Sequence, residues 1–230
     1  MKRILVTLLI LGLLSSCRRG GGTARLALGE APWREGEKAV YDVVDRSGNR
    51  AGSAEFAIAG QGEAWVLTQV EKIGQLDQTA TVRIDARTLE PLGEEKTIRA
   101  PGTDATVTTT YQGGKLEIKA LVKGEEKAAT IDVPAGALDN DQLLMTLRAL
   151  SFAQGYQGQV LVIVAQNALK ISGTIRVQGQ EAVTVPAGTL QAWKVELEFA
   201  QARQYAWYEV ASPHRLVQYD NGSLKYQLQK

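Results

Sequence analysis

Residues 189–199 read TLQAWKVELEF. Trp193, Val195, Leu197 and Phe199 alternate with Lys194, Glu196 and Glu198, a strict period of two. Successive side chains of a strand point to opposite faces, so this stretch is dry on one side and wet on the other. The same period recurs on either side of it. In "KLEIKALVK" Leu116, Ile118, Ala120 and Val122 share one face, and Lys115, Glu117, Lys119 and Lys123 share the other. "ATVTTTY" sets Val107, Thr109 and Tyr111 against three threonines, and "LKISGTIRV" sets Leu169, Ile171, Ile175 and Val177 against Lys170, Ser172, Thr174 and Arg176. These are half-buried antiparallel strands. Turn signals such as "RSGNR", "GQGE", "KGEE" and "DNGS" separate them at short intervals. About a dozen strands are expected, more than a flat open sheet easily carries. The fold class that follows is mainly β: a strongly curved antiparallel sheet, a half-barrel or open barrel, packed on one apolar α-helix.

That helix is expected near residues 140–154, in "DNDQLLMTLRALSFAQG". Asp139 is a good N-cap, Gln142 completes a variant capping box, and Gly155 suits the position just past the end. Leu143, Leu144, Met145, Leu147, Ala149, Leu150 and Phe152 cover most of its circumference, so it must be deeply packed in the concavity of the sheet. The strand that follows, "QVLVIVAQ", is apolar on both faces from Val160 to Ala165, as a strand buried on both sides would be. "VPAGAL" at 133–138 and "VPAGTL" at 185–190 share six-residue turn chemistry without a longer repeat. Each reads as a type I turn with proline at i+1 and a glycine free to take positive φ.

The N-terminus reads as an address. Lys2 and Arg3 precede an apolar run over residues 4–14, long enough for a secretory signal and too short to span a bilayer. Leu14-Ser15-Ser16-Cys17 then resembles the bacterial lipobox, in which the cysteine is lipidated and becomes the mature N-terminus. Cys17 is the one cysteine among 230 residues, so a disulfide has no partner within the chain. The resemblance implies a diacylglycerol thioether on Cys17, usually with a third acyl chain on its amine. Two or more chains anchor stably where one binds marginally. The organisation expected is a cleaved signal over 1–16, a lipidated cysteine with a flexible linker over 17–31, and a single β-rich domain over 32–230. The linker's reach is roughly 20 Å, which keeps the domain close to the bilayer.

Removal of 1–16 takes Lys2 and Arg3 and no acidic residue, leaving 24 basic against 25 acidic side chains. That balance offers nucleic acid no electrostatic footprint. It leaves the envelope membrane as the one partner the sequence names, reached through the lipid on Cys17: the outer membrane, which Arg18 after the cysteine favours where one exists, or the outer face of the cytoplasmic membrane, with the domain in the periplasm or exterior. No catalytic constellation appears. His214 is the single histidine, in the turn "ASPHRL", and cannot make a two-histidine zinc site. Asp139 and Asp141 flank Asn140 without the glycine-bearing acidic loop of a calcium hand, and Asp139 is explained as a helix cap. Glu94-Glu95 and Glu125-Glu126 are expected in solvated turns. The reading is therefore of a chain that is not an enzyme, with no metal and no cofactor.

Aromatic residues are more suggestive. "RQYAWYEV" points Tyr205 and Trp207 one way and Tyr208 the other, while Trp65 and Trp193 lie in other strands. Two functions fit. In the first, an apolar or lipid-like ligand sits between helix and sheet, lined by Leu147, Leu150, Val162, Trp193 and Trp207. In the second, an exposed aromatic strand around Tyr205 and Tyr208 docks another envelope protein.

Taken together, "GEKAVYDV", "DNDQLLMTLRAL", "VPAGTLQAWKVEL" and "RQYAWYEVASPHRLVQY" resemble a family of exported bacterial domains of unknown function. The matching positions are Gly36 and Glu37; Asp139 and Asp141; Pro186, Ala187, Gly188 and Thr189; Ala192, Lys194 and Val195; and Trp207 and Pro213. Leu143 and Leu144 stand where the family usually has serine. The resemblance implies a predominantly antiparallel β architecture and no established activity. A looser architectural similarity is to the LolA/LolB-type lipoprotein carriers, half-barrels with a helix in the concavity and an apolar pocket. That likeness transfers no activity by itself.

Overall fold

The computed structural model describes residues 25–200 and 202–229. The signal expected over 1–16, Cys17 and the first part of the linker lie outside the described residues. The strands are β1 (Lys38–Asp45), β2 (Arg50–Gln61), β3 (Ala64–Ile73), β4 (Leu76–Asp85), β5 (Pro91–Ala100), β6 (Thr103–Gln112), β7 (Lys115–Val122) and β8 (Glu125–Asp132). After a crossing come β9 (Leu138–Asp139), β10 (Gln157–Val164), β11 (Leu169–Val185), β12 (Gly188–Phe199), β13 (Ala202–Glu209), β14 (Leu216–Asp220) and β15 (Leu224–Leu228).

All fifteen belong to one sheet, in the order β8-β7-β6-β5-β4-β3-β2-β1-β15-β14-β13-β12-β11-β10-β9. Every pairing is antiparallel except β9 on β10. Laid flat, fifteen strands would span roughly 65–70 Å. Yet β8 and β9, at opposite ends of that order, are joined by residues 133–137 alone. Such a connection reaches about 20 Å at most. The sheet must therefore curl until its two ends face each other.

They meet through side chains and single hydrogen bonds, without a closing ladder. Tyr111 Oη on β6 donates to Asp139 Oδ2 on β9 at 2.6 Å, and Lys170 Nζ on β11 donates to the Asp132 carbonyl on β8 at 3.2 Å. A small cluster of Val107, Leu116 and Ile118 packs against Ala137, Ile163 and Ala165 between the same ends. This identifies what covers the second face of the β10 strand: Val160 and Val162 enter the main core, while Ile163 and Ala165 meet β6 and β7. The free edge strand β8 is exposed along most of its length and carries Glu125, Glu126 and Lys127. Charges there discourage edge-to-edge pairing.

The helix is shorter than its pattern suggests. A 3-10 turn over Asn140–Gln142 leads into α1 (Leu143–Thr146), and a second 3-10 turn over Leu147–Ala149 ends it. The start matches the sequence reading: Asp139 Oδ1 accepts from Asp141 N at 2.9 Å, and Gln142 Oε1 accepts from Asp139 N at 3.3 Å. The end does not. Leu150 is already extended, with ψ 141°, because residues 25–29 take over its neighbourhood. Leu28 bridges Leu150, and Gly29 N donates to the Ala149 carbonyl at 2.7 Å. Gly155, with φ +80°, sits in the turn before β10 and caps no helix. The same contacts shorten the expected linker, since Leu26 N also donates to Gln159 O at 3.2 Å and Ala27 N to Tyr156 Oη at 2.8 Å. Residues 25–31 belong to the domain.

The helical segment is bolted into the sheet by polar as well as apolar contacts. Trp33 Nε1 donates to the Met145 carbonyl at 3.2 Å and Tyr208 Oη to the Leu144 carbonyl at 2.9 Å. Leu147 and Arg148 are almost wholly buried among inward-facing residues of both halves of the sheet. No helix among the described residues is long and apolar enough to cross a membrane. The two Pro-Ala-Gly stretches diverge. At Pro186 the turn closes the β11–β12 hairpin, with Val185 opposite Gly188 at φ +119°. At Pro134 the hydrogen bond runs from Ala137 N to Pro134 O, so proline is the first residue of the turn and Gly136, at φ +74°, the third. That places the glycine where a type II turn requires it, against the type I reading.

Candidate functional site

The curl forms a cavity of about 530 Å³, partly open to solvent, whose lining comes from both halves of the sheet and from the helical segment. Its volume falls within the roughly 300–1,000 Å³ of small-molecule sites. One wall is apolar: Leu143 and Leu144 from α1, Val162 and Val164 from β10, Ile171 from β11, and Leu197 and Phe199 from β12. The opposite wall is polar: Gln69 and Glu71 from β3, Gln78 from β4, Lys96 from β5, Asp141 beside the helix, and Tyr219 and Tyr226 from β14 and β15. The division is local to this part of the curl: on β3 and β4, Glu71 and Gln78 share their inward faces with Leu67, Val82 and Ile84, which are buried in the main core.

The polar wall is tied together around Glu71, which is only 8% exposed. Its carboxylate accepts from Gln69 Nε2 at 3.0 Å, Gln78 Nε2 at 3.1 Å and Tyr226 Oη at 2.9 Å. Burial first, and Glu71 second, push the Tyr226 phenol well above its ordinary pKa, so it stays a donor. Tyr219 Oη donates to Gln204 Oε1 at 2.7 Å on the same side.

A second polar group adjoins this network on the same wall. Lys96 Nζ is 2.5 Å from Asp141 Oδ2, with both side chains under one-tenth exposed. Glu94, on the same face of β5, is 3% exposed. Its backbone N–H donates to Thr109 Oγ1 at 2.8 Å. Glu94 is therefore neither in a turn nor solvated, contrary to the expectation for Glu94-Glu95. Charges on both faces of β5 mask the period of two, although Leu92 and Ile98 share the face of Glu94 and Lys96. Burial, then a hydrogen bond to Asp141, pushes the Glu94 carboxyl up to about 10. Burial and the Asp141 charge push Asp139 up to about 6, although Tyr111 stabilises its anion. Asp141 moves the other way: burial opposes its charge, but hydrogen bonds from Glu94 and Lys96 hold it below the usual carboxylate value. For Lys96, burial works against the ammonium and Asp141 outweighs it, so the net shift is upward.

Of the residues expected to line a ligand site, the structure brings Val162 to the cavity. Leu147, fully buried, and Leu150, 4% exposed, lie in the packed core beside it. Trp193 is half-buried on another face, stacked 6.1 Å from Phe152. Trp207 is 7% exposed and donates from Nε1 to Glu181 Oε1 at 2.6 Å. The strand expected to dock a partner is mostly occupied. Tyr208 is fully buried, because β13 is paired on both sides and its inward face meets the helix. Tyr205 is half-buried, and Lys194 Nζ lies 5.3 Å from the ring centres of both Tyr205 and Trp207. His214 packs on Phe152 at 5.0 Å with Nδ1 2.9 Å from the Glu209 carbonyl oxygen, a structural place in its turn.

A family model described as protein of unknown function (DUF3108) matches residues 39–229, which spans the sheet from β1 through β15. The chain belongs to the DUF3108 family. This bears out the resemblance carried by the "GEKAVYDV", "VPAGTLQAWKVEL" and "RQYAWYEV" stretches. DUF3108 carries no described activity. No curated protein matches the sequence. Among solved structures, a beta-barrel-like protein of domain of unknown function DUF1849 from Brucella abortus is similar at 14% identity and a TM-score of 0.57. The overlap covers 84% of this chain and 95% of that one. It shows that the fold is barrel-like. Two others overlap more loosely. One, from Bacteroides fragilis, is described as exported with a YmcC-like fold, at 11% identity, TM-score 0.34, covering 88% of this chain and 98% of that one. The other, from Parabacteroides distasonis, is described as a lipoprotein, at 13% identity, TM-score 0.35, covering 90% and 98%.

Proposed function

We propose that this DUF3108 protein is a non-enzymatic lipoprotein of the bacterial cell envelope, anchored through Cys17, that holds one amphipathic, lipid-like molecule inside its curled sheet. The observation that carries the reading is the division of the cavity into two walls. An acyl chain would lie against Leu144, Val162, Ile171 and Phe199, and a polar head would face Gln78, Lys96 and Asp141. Burying apolar surface drives such binding at roughly 25 cal/mol per Å². The polar wall fixes which end enters, because each buried polar group needs a partner. The lipobox-like Leu14-Ser15-Ser16-Cys17 supports the anchored state, which would keep the cavity near a source of such molecules.

The test is displacement of a fluorescent acyl probe from the full processed chain by an unlabelled lysophospholipid. Ile171→Glu places a carboxylate on the apolar wall at a half-buried position. The probe should bind saturably to the wild type and be lost in Ile171→Glu with unchanged circular dichroism. Absence of saturable binding to the wild type contradicts the reading.

A further inference from the structure

The acidic group behind the cavity is more than a helix cap. Glu94, Asp139 and Asp141 each place a carboxylate oxygen so that all three lie within 4.8 Å of one another. They come from two distant parts of the chain, β5 and the β9–α1 entry, brought together by the curl. An independent observation marks this cluster as a place for something else. Glu94 Oε1 is the one buried side-chain oxygen or nitrogen without a hydrogen-bond partner among the described residues. Its residue is 97% buried, given its 3% exposure. An orphaned buried oxygen of this kind is costly and calls for a partner.

Charge defines that partner. Once a cation displaces the Glu94 proton, three ionised carboxylates against the Lys96 ammonium leave a formal charge of −2, which one divalent cation closes to zero while Lys96 keeps its place on Asp141. The donors are all carboxylate oxygens, which suit hard cations, whereas zinc favours nitrogen and sulfur. Magnesium gives up its water reluctantly and is seldom held by an all-protein cage, whereas calcium accepts several carboxylates in loose geometry at about 2.3–2.6 Å. The ligands are also held in place. Asp139 Oδ2 accepts from Tyr111 Oη at 2.6 Å, Asp139 Oδ1 from Asp141 N at 2.9 Å, and Asp141 Oδ1 from Asn140 Nδ2 at 3.0 Å. Each carboxylate oxygen keeps a further lone pair for a metal. Asp141 and Lys96 line the cavity, which supplies the way in.

We infer that Glu94, Asp139 and Asp141 form a calcium site at the base of the cavity, with Lys96 as its fixed counter-charge. The site stands whether or not the cavity holds a lipid, since it needs only the entry the cavity provides. The test is calcium titration by calorimetry of the full processed chain after chelation, with Glu94→Gln alongside. One ion should bind per chain and raise the melting temperature, and Glu94→Gln should weaken binding roughly tenfold or more, the scale seen when a metal site loses support. Terbium gives a second readout on unmutated protein, because Tyr111 sits against Asp139 and would sensitise its luminescence, which calcium should quench by competition. Should Glu94→Gln fail to fold, that readout decides. No saturable calcium binding at millimolar concentration, binding undiminished in folded Glu94→Gln, or the absence of calcium-sensitive terbium luminescence would each overturn the assignment.

Discussion

Replacing Arg148 with methionine should remove about 3–5 kcal/mol of folding free energy, the cost of breaking one side of a buried ion pair. Arg148 is 1% exposed and is the largest wholly enclosed side chain in the molecule's described part. Its Nη1 lies 2.6 Å from Glu37 Oε1. Nε donates to the Pro213 and His214 carbonyls at 3.2 and 3.1 Å, and Nη2 to Pro213 O at 2.9 Å. Methionine fills much of the volume but leaves the Glu37 carboxylate, 15% exposed, without its cation and two carbonyls without donors. The lost hydrogen bonds, at about 1–3 kcal/mol per orphaned group, do not add to the ion-pair loss because one guanidinium serves them all. Domains of this size hold about 5–15 kcal/mol in total, so the variant should be near its limit. At about 2–4 °C per kcal/mol, its melting temperature should fall by roughly 6–20 °C. Urea unfolding followed by tryptophan fluorescence measures the loss. Adding Glu37→Gln to Arg148→Met should recover about 1–3 kcal/mol relative to the sum of the single changes. A loss below about 1 kcal/mol, or strict additivity, would refute the claim that this guanidinium fastens the helical segment to Glu37, just before β1, and to the 212–214 turn.

Three further outcomes follow from the geometry. Gly52→Ala would set a Cβ 2.0 Å from the Lys72 carbonyl oxygen across the β2–β3 ladder, and calorimetry should show a loss of roughly 1–3 kcal/mol. Leu147→Ala should cost about 2–5 kcal/mol in chemical unfolding yet leave acyl-probe affinity nearly unchanged, because Leu147 is core and not lining. In chelated protein, Glu94 keeps its proton in the folded state up to about 10 but loses it near 4.5 when unfolded. Its stabilising contribution is therefore complete below 4.5 and declines as pH rises toward 10. The urea midpoint of the wild type relative to Glu94→Gln should fall steadily across that interval, and a difference independent of pH would contradict the assignment.

Period two made most of the sheet legible. The faces assigned to Val107, Leu116, Ile118, Ile175 and Val195 from alternation alone are the buried ones. The capping box at Asp139 was equally readable, since it is a purely local device. The helix end was not, because the residues that stop it at Ala149 come from the chain's own N-terminal segment, Leu28 and Gly29, far away in sequence. The polar wall was invisible for a different reason. Gln78 shares the apolar face of β4 with Ala80, Val82 and Ile84, and Glu71 shares a face of β3 with Leu67, so alternation turns them inward without saying that polar side chains there find one another, while Glu94 and Lys96 lie on β5, where both faces carry charge. Only the curl, fixed by the short connection over 133–137, brings them opposite Val162 and Ile171 and sets Glu94 beside Asp141.

The central claim is that the cavity holds an amphipathic molecule, and native mass spectrometry of the full processed chain tests it most directly. A covalent diacylglycerol on Cys17 would set the base mass. The account predicts one further non-covalent adduct of lipid mass per chain, lost in folded Ile171→Glu and retained in Leu147→Ala. A bare chain, or an adduct unchanged in Ile171→Glu, would contradict it.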